Sequence, residues 1–222
     1  MKIYKLLLAA TLLAACSPTI EAQVLPKPQV AGGMPLMEVM KARKSQRDIA
    51  PDKAVSRQDL SNMLWAAWGI THDGKRTIAT AMNRQELDFY VVTATEIGKY
   101  DAASNTLTTV ATGDYRTLAA KQGFAATAPV NIVIVGDGNK TDKSEFMNYA
   151  AGAASQNIYL YCAQAGLKTV LRYGFLDRNK GKESFLEYFK NLMIERRQPP
   201  PRSSTVLSNH RPALQSPRCP WC

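Results

Sequence analysis

The chain has 222 residues, of which 45% are hydrophobic and 21% charged, an ordinary composition for one large domain with a sizeable core. The net charge of +10 is concentrated late in the chain, where residues 167–222 hold 11 Lys and Arg against 4 Asp and Glu. No aromatic-basic interleaving or reading helix accompanies this charge, so the composition argues against a nucleic-acid-binding protein. With two histidines in the chain, a His-rich metal site is not expected either.

The N-terminal residues are typical of a bacterial export signal. Two lysines precede an apolar run over residues 6–15, which is too short to span a bilayer. The run ends in Leu-Ala-Ala before Cys16, a sequence similar to a lipobox, in which the cysteine becomes the lipidated N-terminus. The alternative is an ordinary signal peptide cut near Ala22. We expect a signal peptide over residues 1–22, a linker over residues 23–33, and an exported protein that is lipid-anchored through Cys16 or periplasmic.

A short helix is predicted to begin at Pro35 and to deliver a basic segment at its end. Arg43 and Arg47 are four positions apart, which on a helix or its last turn puts both guanidinium groups on one face. With the Ser45 hydroxyl they could surround a phosphate dianion with charge-assisted hydrogen bonds. The alternative is a solvated basic helix end, where positive side chains suit the helix dipole.

A second helix is predicted after a capping box at residues 56–59. Its apolar face recurs at helical spacing before Gly69 closes it, and comprises Leu60, Met63, Leu64, Ala67 and Trp68. Trp65 and Trp68 could form a stacking platform, although core or subunit-interface packing explains them better. Residues 80–85, Thr-Ala-Met-Asn-Arg-Gln, form a polar segment directly before a strand.

The middle of the chain is predicted to be mostly β-structure. Strand segments are expected at residues 87–94, 98–101 and 106–110. A short helix capped by Asp114 is expected to reach Gln122. Residues 130–135 are apolar on both faces, which predicts a central strand.

The longest predicted helix covers residues 144–166, and its centre over residues 150–155 is built of small side chains. Small residues let another backbone approach closely, which favours burial against another helix, including one across a dimer axis. Gln156 and Asn157 interrupt the apolar face and need hydrogen-bond partners. These amides are expected to organise a neighbouring loop or the surroundings of a cofactor.

Three remaining motifs receive plain structural interpretations. Cys162 is expected to be a buried small hydrophobe. The Cys-Pro-Trp-Cys sequence at residues 219–222 lacks the flanking strand and helix of a redox site and the second ligand pair of a zinc site. Residues 136–138, Gly-Asp-Gly, lack the third glycine of a dinucleotide-binding motif and are read as a turn.

Five segments, in order and at matching intervals, resemble the FMN-dependent nitroreductase family. Residues 43–47 look like its Arg-x-Ser-x-Arg element, and residues 64–70 look like its Leu-Trp-Ala-Ala-x-Gly-Ile helix end. Residues 80–85 resemble the segment that runs beneath the flavin ring. Residues 122–129 match its Gln-x-Phe…Ala-Pro stretch, and residues 151–167 resemble the long central helix of the dimer.

The resemblance implies an α+β fold, with a mostly antiparallel sheet flanked by helices in an intertwined homodimer, and FMN at the subunit interface. It assigns to the cofactor site Arg43, Ser45, Arg47, Thr80, Ala81, Asn83 and Gln122. The first three would hold the phosphate or ribityl chain, and Asn83 would hydrogen-bond the ring edge. It implies no catalytic side chain and no metal, because the flavin would take hydride from NAD(P)H and pass electrons to a nitro-aromatic or quinone-like acceptor.

The chain departs from the family pattern in two places. Ala79 stands where the family usually has Pro, and after about residue 171 the usual strand, helix and embracing arm are not recognisable. We therefore expect a nitroreductase-like domain over residues 34–195 that is atypical after about residue 171. A disordered, basic, Pro-rich tail is expected over residues 196–222. The alternative functions are an azoline-peptide dehydrogenase-like flavoenzyme and a catalytically inactive truncated lipoprotein.

Overall fold

The computed structural model describes residues 22–119 and 122–172. These residues form one sheet with strand order β1-β4-β3-β2-β5, in which every described pair is antiparallel. The strands are β1 (Ala22–Val24), β2 (Leu87–Val92), β3 (Glu96–Asp101), β4 (Thr106–Thr112) and β5 (Asn131–Gly136). The helices are α1 (Leu36–Ala42), α2 (Arg57–Trp68), α3 (Gly123–Thr127) and α4 (Ser144–Gln164), with 3₁₀ turns at His72–Gly74 and Ala81–Asn83. The predicted α+β class and antiparallel sheet are confirmed.

The main core lies where α2 and α4 pack against each other and against one face of the sheet. The predicted apolar face of α2 is buried throughout, and Trp68 stacks on Phe89 with 5.5 Å between ring centroids. Trp68 is therefore a packing residue. From α4, Ala150 and Ala154 are fully buried, which confirms that the small-residue centre allows close helix packing.

The ends of the long helices follow local sequence signals. The side chain of Ser56 accepts a hydrogen bond from the backbone N–H of Asp59, as the capping box predicts. At the other end of α2, a Cβ on Gly69 would lie 2.3 Å from the Trp65 ring, so any other residue there would have to displace the Trp65 side chain. Gly166 follows α4 with φ of +68°, the left-handed stop typical of glycine.

A second, smaller cluster covers the opposite face of the sheet at one end. It contains Val92, Ile97, Ala111, Ala119, Val133 and Val135. The helix predicted between Asp114 and Gln122 is wrong for the described residues, because residues 115–119 form turns and α3 begins only at Gly123. The Asp114 carboxylate accepts from both the backbone and the guanidinium of Arg116, which closes a tight turn instead of starting a helix.

The prediction that residues 130–135 form a central strand is also wrong for the described residues. Among the described strands, β5 pairs with β2 alone and lies at the edge of the sheet. Its two apolar faces have another cause: Ile132 and Ile134 pack on the main core, whereas Val133 and Val135 join the second cluster.

The linker predicted over residues 23–33 is wrong in its first part. Strand β1 pairs with β4, and Leu25 is buried in the main core with 3% of its surface exposed. The Gln23 amide donates a 2.8 Å hydrogen bond to Glu96. A strand of three residues is too short to show a periodic pattern of apolar residues, so the composition of this segment predicted a linker.

Several predictions concern residues outside the described part of the chain, namely Cys16, residues 196–222 and the Cys-x-x-Cys sequence within them. Among the described helices, none is both long and apolar enough to cross a bilayer. Cys162 is buried as predicted, and burial raises the pKa of its thiol to about 11.

Candidate cofactor site

The basic segment that follows α1 is an irregular loop. Helix α1 ends at Ala42, and residues 43–50 belong to neither helix nor strand. The prediction that Arg43 and Arg47 share a helix face is therefore wrong, since helical spacing does not apply to this backbone. Arg43 is half-buried, whereas Arg47 is exposed and makes no hydrogen bond or ion pair with a described residue.

Tyr159, on α4, contacts two residues of this loop. The Arg43 guanidinium lies over its ring, 5.1 Å from the centroid, and its hydroxyl lies 2.8 Å from the Ser45 Oγ. The same hydroxyl accepts a 2.7 Å hydrogen bond from the backbone N–H of Leu171. Sequence reasoning missed Tyr159, because no local pattern distinguishes it from the other aromatic residues of an amphipathic helix.

The segment after α4 forms hydrogen bonds with the same loop. The Gln46 backbone N–H donates to the Thr169 carbonyl at 2.9 Å, and the Lys168 ammonium donates to the carboxylate and backbone carbonyl of Asp48. The hydrogen bond from Lys168 lowers the pKa of Asp48. The loop is thus held on one side by α4 and on the other by residues 168–171.

The polar strip, residues 80–85, has an unusual backbone. Met82, Asn83 and Gln85 have φ of 51°, 54° and 51°, in the left-handed region that residues other than glycine rarely adopt. Hydrogen bonds hold this shape, because Thr80 Oγ1 accepts from the Gln85 N–H at 3.1 Å and the Gln85 amide donates to Asn83 Oδ1 at 3.2 Å. Backbone strain of this kind clusters at ligand sites.

Arg76 anchors the polar strip to the end of α2. Its Nε donates to Gln85 Oε1 at 2.8 Å and its Nη1 donates to the Trp68 carbonyl at 3.2 Å. The guanidinium lies 4.8 Å from the centroid of a Trp68 ring, and burial lowers the pKa of Arg76. Arg76 therefore joins the end of α2 to the strip through direct contacts.

Glu86, directly after the strip, is fully buried. Neither of its carboxylate oxygens has a hydrogen-bond partner among the described residues, and the hydroxyl of Thr77 shares this condition. A buried carboxylate without a partner is costly, so a partner from outside the described residues is expected for Glu86. Sequence analysis stopped at Gln85 and did not single out Glu86.

The predicted site residues fall into separate groups. Arg43 and Ser45 meet at Tyr159, whereas Thr80, Ala81 and Asn83 belong to the polar strip. Gln122 precedes α3 and is exposed. Among the described residues, no hydrogen bond or ring contact joins one group directly to another. Asn157 links the helices between them, since its amide donates to the Ala66 carbonyl near the end of α2 at 2.8 Å.

A surface cavity of about 410 Å³ lies beside the anchor of the polar strip, because Trp68 and Arg76 both line it. Its lining includes Trp68, Asp88, Lys99 and Tyr100, and none of the predicted site residues. Within it Lys99 and Asp88 form an ion pair at 2.8 Å, so these two charges already satisfy each other. The loop around Tyr159 and the polar strip remain the candidate cofactor site.

The chain is similar in sequence and in fold to known proteins. Residues 40–193 match the sequence profile of the nitroreductase family. A Methanocaldococcus jannaschii protein, provisionally named a nitroreductase, is 28% identical over 159 residues, which cover 64% of this chain and 80% of that protein. A solved structure from Ralstonia eutropha, also provisionally named a nitroreductase, has a TM-score of 0.68 at 32% identity and covers 78% of this chain and 84% of its own. A more distant structure, from Desulfovibrio desulfuricans in complex with FMN, has a TM-score of 0.41 at 24% identity, over 59% of this chain and 63% of its own.

Proposed function

Because the chain belongs to the nitroreductase family, we propose that it is an FMN-dependent oxidoreductase that passes electrons from NAD(P)H to a nitro-aromatic or quinone-like acceptor. The observation that supports this best is the convergence of Arg43 and Ser45 on Tyr159. A guanidinium and a hydroxyl that both contact one tyrosine, on a mostly exposed loop, are suited to an anionic group such as a phosphate.

The residues present fit FMN at both of its ends. Arg43 and Ser45 would hold the phosphate, with Arg47 as a second cation on the same loop. The strip from Thr80 to Asn83 would lie along the ring, where the Asn83 amide can both donate and accept hydrogen bonds. When bound, FMN would supply the hydride-transfer chemistry, and the protein would supply binding, orientation and positive charge. We accordingly assign no catalytic side chain.

We also propose that the protein works as a homodimer. Among the described residues, no hydrogen bond or ring contact joins the Arg43 loop to the polar strip, and a site at a subunit interface would explain how one cofactor reaches both. In this arrangement the loop of one subunit would face the strip of its partner. The exposed Met82, with 72% of its surface accessible, is then available to a neighbouring subunit or to a small-molecule acceptor.

The visible spectrum of the purified protein tests the proposal directly. We expect bound flavin, or uptake of added FMN by the apoprotein, and loss of the flavin absorbance when NADPH or NADH is added without oxygen. Subsequent addition of a quinone or nitro-aromatic compound should restore the absorbance. A colourless protein that does not bind added FMN would refute the proposed oxidoreductase function and favour an inactive lipoprotein.

Export and attachment of a lipid to Cys16 remain part of the proposal. The described fold begins at Ala22, and six residue steps extend to at most about 20 Å, so an anchor at Cys16 would hold the domain close to the membrane surface. Metabolic labelling with a fatty acid tests this, with Cys16→Ser as the control. Equal labelling of both proteins, or of neither, would contradict attachment at Cys16.

A further inference from the structure

The hydroxyl of Tyr159 lies between a backbone N–H and the Ser45 side chain. We propose that Tyr159 is a positioning residue, which orients the Ser45 hydroxyl as a hydrogen-bond donor toward the anionic end of the cofactor. This inference rests on the proposed function and adds to it a residue 114 positions from Ser45 in the sequence.

The direction of the hydrogen bonds follows from donor and acceptor counts. The Leu171 N–H can only donate, so the Tyr159 oxygen accepts from it at 2.7 Å. The hydrogen of the Tyr159 hydroxyl then needs an acceptor, and Ser45 Oγ, at 2.8 Å, is the only one in reach among the described residues. Tyr159 therefore donates to Ser45, which leaves the hydrogen of the Ser45 hydroxyl free for a ligand.

The exposure of the two side chains agrees with this direction. Tyr159 retains 9% of its surface, so its hydroxyl has little access to water as an alternative partner. Ser45 is exposed, and its hydroxyl hydrogen can reach a ligand on the loop surface. A chain of hydrogen bonds that all point one way strengthens its last donor, because each bond polarises the next.

The ring of Tyr159 has a separate effect, because it lies beneath the Arg43 guanidinium. A change of Tyr159 to Phe would remove the hydroxyl and keep the ring, so the contact with Arg43 would persist. The two contributions can therefore be separated experimentally.

Tyr161 provides a matched control on the same helix. Its hydroxyl donates to Asp59 Oδ1 at 2.8 Å and accepts from the Asn62 amide at 3.1 Å, so it joins α4 to α2 away from the Arg43 loop. A Tyr161→Phe variant also loses one hydrogen-bonded hydroxyl from α4. If the role of Tyr159 were only to stabilise the helix, the two variants would behave alike.

The test compares FMN with riboflavin, which lacks the phosphate, by fluorescence titration of the apoprotein. We expect Tyr159→Phe to weaken FMN binding about tenfold and to leave riboflavin binding unchanged. Ser45→Ala should have the same effect, and the double variant should lose about tenfold and not about a hundredfold, because Tyr159 acts through Ser45. Tyr161→Phe should leave the ratio of the two affinities unchanged.

Each other outcome contradicts the inference in a recognisable way. Wild-type affinity for FMN in Tyr159→Phe, or equal losses for FMN and riboflavin, would overturn the role of Tyr159 while the proposed function stands. Additive losses in the double variant would show that Tyr159 does not act through Ser45. A wild-type protein that binds neither flavin would overturn the proposed function and this inference with it. Thermal unfolding of each variant identifies any that fails to fold. If Tyr159→Phe does not fold, Ser45→Ala is used for the comparison of FMN with riboflavin, because Ser45 is exposed.

Discussion

Arg43 illustrates how a single side chain can be placed by a tertiary contact. Its backbone follows the last turn of α1, and its guanidinium rests on the ring of Tyr159 from α4. Stacking restricts the guanidinium without using its N–H donors, so these remain available to an anion. The arrangement suits a residue that must be oriented before its ligand arrives.

Replacement of Arg43 by Ala should weaken FMN binding by about 1.5–3 kcal/mol, because a charged hydrogen bond to the phosphate would be lost. Titration of apoprotein with FMN measures the change. Lys53→Ala is the matched control, since it removes an exposed positive charge from the α2 end of the same connection, ten residues from Arg43. Unchanged affinity in Arg43→Ala, or an equal loss in both variants, would remove the assignment of Arg43 to the phosphate.

Tyr100 should make the fold sensitive to alkaline pH. It is 5% exposed, its hydroxyl donates to Asn105 Oδ1 at 3.1 Å, and burial raises its pKa from 10.0 to about 12. The folded state thus favours neutral Tyr100, and this contribution is complete below pH 10 and is lost as the pH rises toward 12. Urea unfolding across this range measures the decrease in the free energy of unfolding. This decrease should be about 2–3 kcal/mol smaller for Tyr100→Phe than for the wild-type protein.

The exposed Tyr149 supplies the control for this measurement, as Tyr149→Phe should keep the wild-type pH profile. Tyr161, whose pKa burial raises to about 12, and Cys162 contribute in the same direction, so some alkaline destabilisation should persist in Tyr100→Phe. A profile identical to wild type would show that ionisation of Tyr100 does not limit stability.

At the scale of elements, α2 and α4 together support both parts of the candidate site. Helix α4 carries Tyr159 to the Arg43 loop, and the end of α2 carries Trp68 to Arg76 and thereby to the polar strip. Because the two helices pack on each other, with Asn157 bonded to the Ala66 carbonyl, the two groups are held by one rigid core.

Leu64 tests the contribution of this helix pair to stability. It lies on the buried face of α2 with none of its surface exposed, so Leu64→Ala should lower the free energy of unfolding by about 2–5 kcal/mol. Val30→Ala, at a position that is 66% exposed, should change it by less than about 0.5 kcal/mol. Chemical denaturation at one protein concentration compares them. Similar values for the two variants would show that α2 is not part of the stabilising core.

At the scale of the whole molecule, the proposed dimer makes a quantitative prediction about mixed subunits. Arg43→Ala and Asn83→Ala would each damage one half of every interface site. Random mixing after refolding gives about half heterodimers, each with one intact site of two, so about a quarter of the wild-type FMN sites should reappear. Binding by the mixture at a limiting FMN concentration, compared with each variant alone, measures this recovery.

Mixing that restores no binding would place both groups of one site in the same subunit. Light scattering on the wild-type protein gives an independent check, because a dimer should have twice the chain mass of 24.4 kDa. A monomer with one bound FMN would contradict the dimer and leave the cofactor assignment intact.

Much of the fold could be predicted because it depends on local periodicity. The apolar face of α2, the capping box at Ser56 and strands β3 and β4 all occur as expected. The prediction that β5 is a central strand failed. Two apolar faces indicate that both faces of the strand are covered, but they do not indicate how many strands pair with it. The short strand β1 was missed because its pairing with β4 joins residues about 84 positions apart.

For the candidate site, the sequence by itself determined which residue types are present and in what order, since Arg43, Ser45 and the strip around Asn83 were recognisable as motifs. Only the tertiary structure decided how they are held. It showed that the Arg43 loop is not helical and that Tyr159 and Leu171 support Ser45. It also showed that the strip has a left-handed backbone. The physical reason is that hydrogen bonds and ring contacts between distant segments form only after α4 packs on the sheet, and no local periodicity records them.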